Sequence, residues 1–217
     1  MQIFQRIRSQ AISQVPVLPT TKLLFFDTRF AWLWLIVRLY VGYQWLSSGV
    51  AKVAGYSLSP GSFGRHVQGG SWLVGGHGEK ALQGFFTHSL SLAGGPNPVI
   101  QNWYAAFLQH IALPGVGVFS YLIPFGELFV GLGLILGLFT GVAAIFGALM
   151  NMNYLLAGSI SINPILFLLE IFLILAWRIC GFYGVDRFLL TRLRNTQTRL
   201  STSTAQVITD EALVARE

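Results

Sequence analysis

Four charged residues stand inside apolar sequence: Arg38, Glu127, Glu170 and Arg178. A charge at the middle of a bilayer costs about 2.5–3.5 kcal/mol on insertion scales, so each is expected to face another helix or a polar cavity and not lipid. A carboxyl in such a place can take up and pass on a proton, and paired arginines can hold an oxyanion in two parallel hydrogen bonds. Together they would suit a pocket for a quinone headgroup, a proton or a small anion. Glu127, Arg178 and Arg38 are the candidate catalytic residues. Asn153 and Glu170 are candidates for binding, with Trp45, Tyr154 or Trp177 flanking a ring. Depth along the helices suggests Glu127 opposite Arg38 or Arg178, and Glu170 opposite Lys52. Glu170 and Arg178 are on the order of 12 Å apart along one helix and cannot pair with each other. The competing use of all four charges is as structural clamps between helices.

The stretches that must position them are Ala31–Val53, Val118–Phe139, Gly141–Gly158 and Pro164–Phe182. Each approaches the roughly 20 residues a helix needs to cross a bilayer. The chain is only 10% charged, against about 25% in soluble domains, so a soluble fold of this length would lack solvated surface. The expected fold is an all-α membrane protein, a four-transmembrane-helix bundle over residues 31–190 with an extracytoplasmic insertion at 54–117. Arg6, Arg8, Lys22 and Arg29 precede the first stretch, and Arg187, Arg192, Arg194, Arg199 and Arg216 follow the last. By the positive-inside rule both termini, 1–30 and the polar tail 191–217, lie in the cytoplasm of a multi-pass plasma-membrane protein. The net charge of +6 therefore points to membrane orientation and not to nucleic acid. No apolar run follows Arg6 and Arg8 closely enough for a cleavable signal, and residues 3–8 read equally as a short interfacial helix or a loose arm. The tail beyond Arg194 reads as disordered.

On the first stretch, Arg38, Gly42, Trp45, Gly49 and Lys52 form one helical stripe. Gly133, Gly137 and Gly141 allow either close packing of the second and third stretches or a tight turn between them. Asn151 and Asn153, two residues apart, should meet different neighbours. The insertion predicts amphipathic helices at Glu79–Leu92 and, starting from the Asn97-Pro98 pair, along a face of Ile100, Trp103, Tyr104, Phe107, Leu108 and Ile111. Arg65 and Lys80 make a modest basic cluster there, candidates for binding an external dianion. His66, His77, His88 and His110 have no metal or haem spacing, and the single Cys180 rules out an internal disulfide and a multi-cysteine site; no metal or haem is expected.

Trp103–Gly141 reads WYAAFLQHIALPGVGVFSYLIPFGELFVGLGLILGLFTG, followed by Asn151-Met-Asn153 and by WRICGFYGVDRFL at Trp177–Leu189. With Arg38-Leu-Tyr-Val-Gly42 and Gly49-Val-Ala-Lys52, this run resembles the DoxX/DoxD-like family of membrane proteins over most of residues 29–190. The resemblance implies a four-helix membrane bundle. The long insertion is similar to the DoxD subunit of archaeal thiosulfate:quinone oxidoreductase, which oxidises thiosulfate to tetrathionate and passes electrons to quinone with a DoxA-type companion. It implies quinone as electron acceptor and a DoxA-like or other redox subunit as partner. The alternatives are a non-catalytic membrane anchor for a partner redox protein and a small solute or proton carrier, the latter most easily as a homo-oligomer.

Overall fold

The computed structural model describes residues 19–67, 71–94, 96–188 and 192. The candidate interfacial helix at 3–8 and the polar tail, apart from Arg192, lie outside the described residues. Those described form an all-helical protein with no strand, only an isolated bridge between Tyr56 and His66. In chain order the helices are α1 (Pro19–Phe26), α2 (Ala31–Ala54), α3 (Gly78–Ser91), α4 (Asn102–Phe107), α5 (Val116–Leu136), α6 (Thr140–Leu156), α7 (Asn163–Leu175) and α8 (Trp177–Cys180). A single 3-10 turn links α1 to α2, and α4 runs on into a π-helical turn at Leu108–Ala112.

The stripe read on the first apolar stretch is the buried face of α2: Ala31, Trp34, Arg38, Val41, Gly42, Trp45 and Gly49. It packs along α5, while α6 packs along α7. α2 and α5 approach backbone to backbone, and between the second and third apolar stretches Gly133 packs on Ala143, where a Cβ would come within 3.1 Å. A Cβ on Gly49 would come within 2.6 Å of the Leu128 backbone nitrogen, one on Gly131 would collide with Leu46, and one on Gly42 would meet Ile135. Gly137 serves the turn instead. At φ 66° it ends α5, a left-handed conformation that a Cβ disfavours.

Two further expectations shift. The last apolar stretch is not one continuous helix: α7 stops at Leu175, Ala176 bonds back to Phe172, and α8 restarts at Trp177. In the insertion, Val99 bonds back to Leu92 and the chain is extended at Gln101, so α4 begins at Asn102 and not at Asn97-Pro98. Its predicted apolar face divides. Tyr104 and Leu108 are buried with Ala112, whereas Trp103 and Ile111 are more than half exposed.

α3 and α4 form a second apolar core over one end of the bundle, centred on Leu82, Phe86, Tyr104 and Leu108. At the other end Asp186 accepts the Phe139 and Thr140 N–H groups and the Thr140 hydroxyl, capping α6. Arg38 donates to the Cys180 and Tyr183 carbonyls beside Gly137 and Gly184. Among the described residues one helix, Val116–Leu136, is long and apolar enough to cross a bilayer; Thr140–Leu156 and Asn163–Leu175 are apolar but shorter.

This packing predicts opposite results for two glycines. Gly49→Ala should destabilise the protein by about 1–3 kcal/mol, because α2 and α5 must separate. Gly84→Ala on α3, with nothing within 4 Å, should stabilise it by up to about 1 kcal/mol through helix propensity. Thermal unfolding of both variants in one detergent checks the pair.

Candidate functional site: a buried carboxylate cluster beside an apolar groove

The close contact of α2 with α5 fixes an antiparallel register. Leu46 lies against Gly131 and Gly49 against Leu128, so Glu127 comes level with the last turns of α2. There its carboxylate meets Lys52, with Nζ 2.6 Å from both oxygens. Ser48 donates to it at 2.9 Å, and the Tyr154 hydroxyl of α6 donates at 2.6 Å. Glu127 is 1% exposed, while the Lys52 side chain keeps 22%. The Lys52 ammonium also sits 5.5 Å above the Trp72 ring.

The second carboxyl is separate. Glu170 of α7 is fully buried and accepts from Trp45 Nε1 at 2.5 Å and Asn151 Nδ2 at 2.7 Å. Gly147 makes the room, since a Cβ there would lie 2.6 Å from Glu170 Oε1. Trp45 stacks on Tyr154 with ring centroids 6.4 Å apart, joining the two clusters through their rings.

These partners correct the expected pairings. Glu127 pairs with Lys52, not with Arg38 or Arg178, and Glu170 takes two neutral donors, not Lys52. Arg38 is 14 residues from Lys52 along α2, about 21 Å, and the register sets it against Gly137. It is a helix-end clamp. Arg178 is exposed, its guanidinium over the rings of Phe26 and Trp177, and Trp177 is itself 56% exposed. Neither reaches the carboxylates. Arg65 and Lys80 are exposed on the insertion. Asn151 and Asn153 do meet different neighbours: Asn153 accepts from the Tyr104 hydroxyl, on its backbone carbonyl at 3.0 Å. Of the residues chosen from sequence, the fold gathers Trp45, Glu127, Tyr154 and Glu170, and adds Ser48, Lys52 and Asn151. Among the described residues no three His, Cys, Asp or Glu side chains converge.

Tyr154 and Asn153 line a cavity of about 880 Å³ between α5 and α6, roofed by α3 and α4. One end is aromatic, with Phe85, Phe86, Tyr104, Phe107, Phe119 and Tyr154; the other is lined by Leu136, Leu138, Phe139, Val142 and Phe146. The shape suits an elongated ligand with a planar head and an apolar tail, and the one group there tied to a buried charge is the Tyr154 hydroxyl. Burial pushes the Tyr104 phenol up to about 12.

No protein-family model matches the chain, and no curated protein or solved structure is detectably similar to it.

Two measurements probe this cluster. Lys52→Met leaves a buried carboxylate unpaired and should cost about 3–5 kcal/mol; adding Glu127→Gln should recover most of it. Denaturant unfolding of the single and double variants gives the coupling, and simple additivity would show that the ion pair is not coupled. Tyr104 carries a pH signature. Below pH about 10 the phenol is protonated whether folded or unfolded. Between about 10 and 12 the unfolded chain releases a proton that the folded protein keeps, so stability falls as pH rises. Unfolding midpoints across that window should fall less in Tyr104→Phe than in the parent.

Proposed function

We propose that this chain is a four-span membrane protein of the DoxX/DoxD kind, the membrane subunit of an oxidoreductase that passes electrons from thiosulfate or a related sulfur compound to quinone. The membrane reading is supported by an inverted surface. Trp32, Ile36, Phe129, Phe146, Ile165 and Leu168 are each more than half exposed, while Arg38, Glu127, Asn151 and Glu170 are buried. An aqueous protein distributes these classes the other way, and exposed apolar area on this scale needs lipid or a partner to cover it. α6, with 17 residues, is about 26 Å long, and α7 with α8 makes a comparable broken span. The basic segments before α2 and after α8 support a reading with both termini in the cytoplasm, by the positive-inside rule, and the insertion outside.

The observation that carries the quinone assignment is the Tyr154 hydroxyl, bonded to an ion-paired Glu127 and lining the aromatic end of the groove. An aromatic slot fits a planar ring, the apolar remainder fits a long isoprenoid tail, and a buried acid–base cluster suits a reaction that takes up protons. The sulfur donor rests on the resemblance. A second reading, a non-catalytic anchor for a partner redox protein, is favoured by Arg65 and Lys80. Both are exposed and neither lines the groove, so in that reading sulfur oxidation falls to a companion such as a DoxA-like subunit.

Thiosulfate-dependent reduction of a soluble quinone analogue, with tetrathionate assayed in parallel, tests the reading. Turnover is expected, and Glu127→Gln should lower it by about 10²-fold while the variant stays folded. Unchanged turnover would remove Glu127 from the reaction. A folded protein that binds the analogue without turnover, and that co-purifies with a redox protein, would establish the anchor instead.

A further inference from the structure

We propose that Lys52, Glu127 and Tyr154 form a proton path from water at the insertion face to the aromatic head of the groove. This rests on the quinone reading above and adds the route and the side from which protons arrive. The path is continuous: Lys52 Nζ is 2.6 Å from Glu127 Oε1, and the Tyr154 hydroxyl is 2.6 Å from the same oxygen. Its two ends lie in different surroundings. Lys52 is in the last turn of α2, just before the insertion, and its side chain retains 22% exposure. Tyr154 lines the groove. Glu127 between them is closed off from water. It is faced by Ser48 and Lys52 from α2 and by Tyr154 from α6.

Glu170 stands off this path. Its contacts are the indole N–H of Trp45 and the amide of Asn151, groups that hold their protons. It is a positioning residue, keeping Trp45 stacked on Tyr154.

The step balances as follows. Two thiosulfate ions join as tetrathionate and release two electrons, which reach the quinone one at a time. The first gives a semiquinone anion. The Tyr154 O–H bond breaks as an O–H bond forms on the quinone oxygen. In the same movement Glu127 passes to the Tyr154 oxygen a proton drawn from the Lys52 ammonium. Water at the insertion face reprotonates the Lys52 amine. A second electron gives the quinol monoanion, whose far oxygen takes a proton from water as the quinol leaves, so two electrons and two protons are consumed per quinone and the path supplies the first proton.

Pulse radiolysis supplies single electrons without any donor subunit. With saturating decylubiquinone on the detergent-solubilised protein, protonation of the bound semiquinone is followed by its absorbance; binding is first measured by tryptophan fluorescence quenching. Tyr154→Phe keeps the ring and removes the hydroxyl. Lys52→Arg keeps the ion pair but has a guanidinium that does not give up its proton. Both variants should bind the analogue and protonate the semiquinone about 10²-fold more slowly than the parent. Parental rates in both variants would overturn the path and leave the quinone site standing. Slowing in Tyr154→Phe alone would overturn Lys52 as the source. No saturable binding by the folded parent would overturn the quinone reading, and the path with it.

Discussion

Where α2 and α5 cross, glycine takes the place of a side chain on both helices, and the backbones come into direct contact. Contact at that distance tolerates no slippage. Moving one helix along the other by a residue would drive a side chain into backbone. The register so fixed makes the Lys52–Glu127 pair possible, because it sets the fourth turn from the α5 start beside the last turns of α2. Tyr154 and Ser48 then complete the hydrogen bonding of a carboxylate that has left water. A buried ion pair is tolerable when its remaining lone pairs are satisfied, and here three side chains from two helices surround one carboxylate.

The same arrangement separates two kinds of buried acid. Glu127 has a cation beside it; Glu170 has only an indole and an amide. Trp45 and Tyr154 lie between them as stacked rings, so the polar interior is two islands joined by an aromatic bridge. Around these islands the helices turn apolar side chains outward. In the groove between α5 and α6 that outward apolar surface folds back toward a polar group, the Tyr154 hydroxyl.

Helix positions were legible because apolar runs and glycine ends are local signals. The stripe of Arg38, Gly42, Trp45 and Gly49 was readable for the same reason, since a helical face follows from spacing alone. Partner choice was not. Estimating depth from distance to a span end treats every helix as starting at one level, whereas the glycine contacts offset α5 against α2 and bring Glu127 to Lys52. Arg38 looked chemical because it is charged and buried, yet its work is at carbonyls left open at the end of a broken helix. That break at Ala176 has no proline or glycine to announce it. Tyr154 carried a readable signal, a polar tip beside Asn151 and Asn153 on a mostly apolar helix, which spacing could not connect to Glu127.

Asp186 lies 46 residues beyond the Thr140 N–H that it caps. A chain made from its N-terminus therefore emerges with the α5–α6 hairpin formed in outline but with the first amides of α6 unpaired. They stay so until the segment after α8 has been made and folds back. Arg38, near the start of the chain, waits on the same stretch for the Cys180 and Tyr183 carbonyls. Completion of this end of the bundle is thus tied to the arrival of the last helices. A chain halted before Asp186 would leave the hairpin open at one corner.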